Sequence, residues 1–170
     1  EYRDAAAAAG NFLLRHMMQG DTLLRTHRNG ESRLPGYRDD YAFAANAFVD
    51  LYEATFEPRW LDAADRLARK LLADFWDPQT KSFYFTEAAH QHLIVRTKPT
   101  YDGAEPSGNS MAALALLLLA TVIGEIRFAD TAEAILEGAQ PDVARAPMAF
   151  MKMLGAMDFY LYPPKEIALA

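Results

Sequence analysis

Two polar segments of this 170-residue chain gather side chains suited to chemistry on hydroxyl-rich molecules. One is Tyr101–Ser110, read Tyr-Asp-Gly-Ala-Glu-Pro-Ser-Gly-Asn-Ser; the other is Leu34–Tyr41, read Leu-Pro-Gly-Tyr-Arg-Asp-Asp-Tyr. Cleaving a glycosidic bond needs two carboxyl groups, one as acid and one as base or nucleophile. Asp39, Asp40 and Asp102 are the candidate catalytic groups, with Glu105 a further carboxylate that can bind substrate. The competing assignment is structural: Asp39 and Asp40 as first-turn helix acids, Asp102 and Glu105 as turn formers in Asp-Gly and Glu-Pro steps. Ser107 and Asn109 either cap a helix or hydrogen-bond a substrate. Arg96 and Lys98 alternate onto one face of an extended segment, where they either bind an anionic sugar or carboxylate or form surface ion pairs. Tyr37, Tyr41 and Tyr101, with Tyr84 and Phe85, either stack on sugar rings or fill the core.

Other chemistries find less support. No Gly-x-Ser-x-Gly elbow surrounds Ser107, which argues against a serine hydrolase. Histidines occur at 16, 27, 90 and 92. His90 and His92 would share one strand face, but spacing offers no third ligand, so no metal is expected. No cofactor is expected either.

Composition narrows the class. With 51% hydrophobic and 24% charged residues the chain is ordinary for a globular domain. A net charge of −6 speaks against nucleic acid as a partner. There is no cysteine, so the compartment stays open, with the cytoplasm favoured. The longest apolar run, Met111–Ile123, is shorter than the roughly 20 residues a membrane-spanning helix needs, so no membrane partner is expected.

Stepping from the polar segments to what must hold them, six helices are expected. Tyr2–Gln19, Arg59–Phe75 and Glu125–Glu137 carry apolar residues on one side. Asp40–Thr55, Asn109–Ile123 and Pro147–Tyr160 are apolar nearly all round and must be covered on several sides. The two kinds alternate along the chain. Passage from an apolar to an amphipathic helix is short, at Phe56–Pro58 and Gly124. The reverse passage is long, at Gly20–Arg38 and Trp76–Pro106. Strands are expected at Leu23–Arg28 and Glu31–Leu34 around an Asn29-Gly30 type I′ turn, and at Ser82–Thr86 paired with His92–Arg96.

The segment Arg59–Asp65 matches Arg127–Glu133 with an offset of 68 residues, from 59 to 127. A long-looped helical hairpin of that period fits an α/α toroid, an inner ring of buried helices wrapped by an outer ring. The fold class expected is therefore all-α, a partial (α/α)6 toroid of three hairpins with β-hairpin excursions in the long loops. The long loops enter the inner helices at their N-termini, which collects the polar segments at one mouth. Helix N-termini favour anions, so a hydroxyl-rich or anionic small molecule, such as a sugar, is the expected ligand. Half a ring leaves apolar inner-helix surface uncovered, so further chain or a partner is expected to complete it. Both ends read as cuts within a longer protein.

These segments carry a resemblance. Leu34–Phe43, Leu93–Lys98 (Leu-Ile-Val-Arg-Thr-Lys), Tyr101–Ser110 and the tail Tyr162–Ile167 (Tyr-Pro-Pro-Lys-Glu-Ile) resemble the thioredoxin-domain-containing, spermatogenesis-associated protein family. The resemblance covers essentially all 170 residues. It implies an N-terminal thioredoxin-like domain, outside this chain, followed by an (α/α)6 barrel similar to N-acylglucosamine 2-epimerases and six-hairpin glycosidases. Residues 1–170 would be a fragment of that single barrel domain. A sugar epimerase-like or glycosidase-like site is the functional expectation; a non-catalytic scaffold or ligand-binding module serving the thioredoxin-like domain is the alternative.

Overall fold

The computed structural model describes residues 1–89, 93–162 and 164–165. His90 and His92, and with them the start of the expected His92–Arg96 strand, lie outside those residues, as does half of the tail motif, Pro163, Glu166 and Ile167.

Six α-helices form three hairpins. The outer helices are α1 (Tyr2–Phe12), α3 (Pro58–Asp74) and α5 (Ile126–Arg145); the inner ones are α2 (Arg38–Thr55), α4 (Gly108–Ile123) and α6 (Met151–Leu161). α4 sits at the centre, packed against α2, α3, α5 and α6. This is the reason for its nearly uniform apolarity: ten of its residues, Gly108 to Leu119 with two gaps, are buried. The alternation of amphipathic and apolar helices therefore maps onto the outer and inner layers of a partial toroid.

The 68-residue offset has a packing basis. Trp60 and Phe128 occupy the same position on α3 and α5 and are 0% and 1% exposed. Ala64 and Ala132 follow one turn later, then Leu67 and Ile135, all buried. Burying each large apolar side chain contributes on the order of 1.5–3 kcal/mol. Phe48 of α2 stacks on Trp60 with ring centroids 5.7 Å apart. The two inner-to-outer turns close in left-handed backbone, at Phe56 (φ 56°) and Gly124 (φ 72°), which stops each inner helix abruptly.

The strands are short. β1 (Met18–Gln19), β2 (Thr22–Arg28) and β3 (Glu31–Pro35) form an antiparallel sheet in that order. Arg28 pairs with Glu31, leaving Asn29 and Gly30 as a two-residue loop with φ of 54° and 80°. Both values are what a type I′ turn requires. β4 (Trp76–Asp77) pairs with β5 (Ser82–Phe83).

Four expectations need correction. The first helix ends at Phe12, passes through a π-helical turn at Leu13–Met17, and gives way to β1. The third outer helix does not stop at Glu137. It continues to Arg145 through Pro141, because Gly138 is not a helix stop but a close-approach site: a Cβ there would lie 3.0 Å from Lys81 Cβ. The last inner helix starts at Met151 rather than Pro147, and Met148 and Met151 are 81% and 58% exposed instead of packed. Of the expected strand Ser82–Thr86 only Ser82–Phe83 forms, paired with Trp76–Asp77, and among the described residues Leu93–Arg96 forms no strand beside it. One backbone bond, from Phe85 N–H to the Thr97 carbonyl, links it to that later segment. Side chains take the Phe83 and Thr86 carbonyls, and Arg38 N–H takes that of Phe85.

Among the described residues no helix is long and apolar enough to cross a membrane.

Candidate functional site

The N-termini of α2 and α4 meet around a buried arginine. Arg38, at the first position of α2, is 1% exposed. Its Nη1 donates to the carbonyls of Phe83 (3.2 Å) and Pro99 (3.0 Å). Its Nε and Nη2 both lie 2.7 Å from Asp39 Oδ1. Burial pushes the guanidinium pKa down and the Asp39 carboxylate pushes it back up. Asn109 of α4, also 1% exposed, binds the same two carbonyls through Nδ2 and accepts from Phe83 N–H at 2.7 Å through Oδ1. Gly108 permits the approach, since a Cβ there would fall 1.9 Å from Asp39 Oδ1.

Beside this junction lies an open cleft of about 500 Å3. Asp39, Asp40 and Glu105 supply its carboxylates, Arg25 its cation, and Tyr37, Phe43 and Phe85 with Pro106 its apolar walls. The cleft joins both polar segments singled out in the sequence, across two inner helices.

The carboxylates differ in what they are free to do. Asp40 reaches back to accept from Tyr37 N–H at 2.8 Å, the acid half of a capping box. Its Oδ2 also lies 3.9 Å from Arg25 Nε. Asp39 is held by Arg38 through one oxygen; its Oδ2 accepts no hydrogen bond from the described residues. Glu105 is exposed on the loop before α4. Asp102 is not among the cleft-lining residues. Its Oδ1 accepts from Ser107 N–H (2.8 Å) and its Oδ2 from Lys152 and Met153 N–H (2.7 and 3.1 Å), so it ties the loop to the start of α6.

The other singled-out side chains separate likewise. Tyr37 is the N-cap residue of α2, its ring 4.6 Å from that of Phe85 and under the Arg25 guanidinium at 4.2 Å. Tyr41 is turned inward: it is 1% exposed, and its hydroxyl accepts from Leu23 N–H at 2.9 Å. Burial raises its pKa. Tyr101 is 64% exposed but does not line the cleft. Ser107 caps α4 by accepting from Ser110 N–H at 3.1 Å. Arg96 donates to the carbonyls of Thr86 and Asp74, over the Tyr84 ring, thereby capping the C-terminus of α3. Lys98 pairs with Asp77 and donates to Thr80 Oγ1 at 2.6 Å. Thus Tyr37, Asp39, Asp40 and Glu105 come together, while Tyr41, Arg96, Lys98, Asp102, Ser107 and Asn109 build the frame.

Arg38 was missed by reading the sequence. The signal was present: a cation in the first turn of a helix opposes the helix dipole, so Arg38 immediately before two aspartates marks a specific ion pair. Among the described residues no group of three or more metal-ligating side chains is found.

Comparison with known proteins finds homologues. No protein-family model matches the chain. Mouse spermatogenesis-associated protein 20 is 33% identical over 175 residues, covering 96% of this chain. The chain is homologous to a segment of spermatogenesis-associated protein 20. It spans 22% of the length of that relative. Among solved structures, unsaturated glucuronyl hydrolase from Bacillus sp. GL1 superposes with a TM-score of 0.65 at 19% identity, covering 82% of this chain and 40% of the hydrolase. The family 76 glycoside hydrolase (mannosidase) Bt3792 from Bacteroides thetaiotaomicron gives 0.61 at 20% identity, covering 80% and 37%. At these identities the likeness is one of fold, the (α/α)6 glycosidase fold.

Proposed function

We propose that the chain carries one wall of a carbohydrate site, glycosidase-like or sugar epimerase-like, at the N-terminal mouth of its inner helices. The observation that carries this is the state of Asp39. A buried arginine fixes one carboxylate oxygen at 2.7 Å while the side chain remains part of an open, aromatic-walled cleft. Fixing a reactive group on a rigid element is what catalysis by positioning requires. Glu105, across the cleft on the α4 loop, is the second carboxyl group that acid–base or nucleophilic attack on a glycosidic bond needs. Tyr37, Phe43 and Phe85 offer apolar faces for a sugar ring. The remaining hairpins of a longer chain would supply the opposite wall, and the thioredoxin-like domain would precede them.

A specific observation also favours the second reading, a non-catalytic ligand-binding module. Asp40 and Asp102 are committed to backbone donors. One experiment separates the two. The full-length protein is titrated with neutral oligosaccharides by calorimetry and assayed for glycoside cleavage and for epimerisation by NMR. A turnover that falls by about 10²–10⁴-fold in Asp39→Asn, with binding retained, supports catalysis. Binding without turnover leaves the module. Absence of both sinks the carbohydrate reading.

A further inference from the structure

Resting on that reading, we infer that the cleft selects neutral or amino-bearing sugars and rejects uronates and sugar phosphates. Recognition of an anionic sugar needs a cation with free donors. Three of the four nearby candidates are already spent. Lys98 is paired with Asp77 and Thr80. Arg96 gives its guanidinium to two backbone carbonyls. Arg38 is buried against Asp39 and two further carbonyls. Among the described residues Arg25 is the cation that lines the cleft, 4.2 Å over the Tyr37 ring and 3.9 Å from Asp40 Oδ2.

The helix N-termini are partly used within the fold. Tyr37 N–H is taken by Asp40, Arg38 N–H by the Phe85 carbonyl, Ser107 N–H by Asp102 and Ser110 N–H by Ser107. Internal acceptors thus occupy part of the feature that, from sequence, suggested an anionic ligand. Among the described residues, what faces the cleft is one arginine against Asp39, Asp40 and Glu105. A ligand amine gains from that field and a ligand carboxylate loses.

The test uses the full-length protein and three matched probes: a neutral hexose oligomer, its hexosamine counterpart and its uronate counterpart, titrated at low and at high salt. The neutral oligomer tests the carbohydrate reading; the charged pair tests the inference. The amine-bearing probe is expected to bind about tenfold more tightly than the uronate at low salt, with the gap closing as salt screens it. Glu105→Gln is expected to narrow the gap between the amine-bearing and the uronate probe. A uronate that binds as tightly as the neutral probe, or more tightly, overturns the inference and leaves the carbohydrate site standing. Failure of all three probes to bind overturns both.

Discussion

Gly108 and Asp39 touch where two inner helices begin. There is no room between them: a Cβ on Gly108 would sit 1.9 Å from Asp39 Oδ1 and 2.5 Å from Arg38 Nε. The glycine is therefore what lets α4 press its first turn against the ion pair, and the position of the cleft carboxylate depends on it. Gly108→Ala is expected to destabilise the chain by about 1–3 kcal/mol through overpacking, and to displace Asp39. Gly155 is the control, a helical glycine in α6 with nothing within 4 Å of an added Cβ. Gly155→Ala is expected to be neutral or to stabilise by up to about 1 kcal/mol. Urea denaturation of the two variants measures the contrast; equal midpoints would show that the close approach is not formed.

Arg38 and Asn109 divide the carbonyls of Phe83 and Pro99 between them. Asn109→Ala removes the acceptor for Phe83 N–H and leaves that buried donor unpaired, at a cost of about 1–3 kcal/mol. Its mark is local as well as global. Amide exchange at Phe83 is expected to accelerate well before that of α3, and a Phe83 amide that stays protected would contradict the assigned bond.

The layers were legible in the sequence because hydrophobic periodicity reports burial directly. α4 is apolar all round since helices cover it on several sides, and α3 is one-sided since it forms the outer wall. The Asn29-Gly30 hairpin was legible because only a few residue types take two successive positive φ angles cheaply. The Trp60–Phe128 repeat was legible because equivalent positions face equivalent neighbours. The division of labour among the polar residues was not. Asp39 and Asp40 are adjacent, identical in type and both in the cleft lining, yet one is held by a buried arginine and the other caps a helix. That difference is fixed by Arg38, Phe83 and Pro99, which come together only in three dimensions. Tyr37 and Tyr41 differ for the same reason: one helical turn separates a residue at the cleft from one in the core.

Asp102 is expected to act on α6 rather than on a ligand. It accepts from Lys152 and Met153 N–H, the first turn of that helix, and from Ser107 N–H. Asp102→Ala should cost about 0.5–2 kcal/mol, the range for losing an N-cap acceptor. Amide protection should drop at Lys152 and Met153. Cleft affinity for a neutral sugar should change by less than about twofold, since Asp102 does not line it. A large loss of affinity without loss of helix protection would place Asp102 in the site after all.

The Asp77–Lys98 pair gives the chain an acid sensitivity with a definite sign. The Lys98 ammonium holds the Asp77 carboxyl well below the ordinary carboxylate range, helped by Gln79 N–H and the Thr80 hydroxyl. A carboxyl whose pKa is depressed on folding binds fewer protons in the folded state than in the unfolded one. Its contribution is therefore fully present above the ordinary value of 3.8 and is lost as pH falls below it toward the folded value. The pair joins the β4–β5 hairpin to the segment that carries Pro99, so protonation should loosen the platform under Arg38 and Asn109. Asp77→Asn removes the titrating group. Its melting temperature is expected to lie below that of the unsubstituted chain at pH 6 and to approach it as pH drops from about 4 to 2.5. Two melting curves that stay parallel across that range would mean that Asp77 titrates no differently in the folded and unfolded chains.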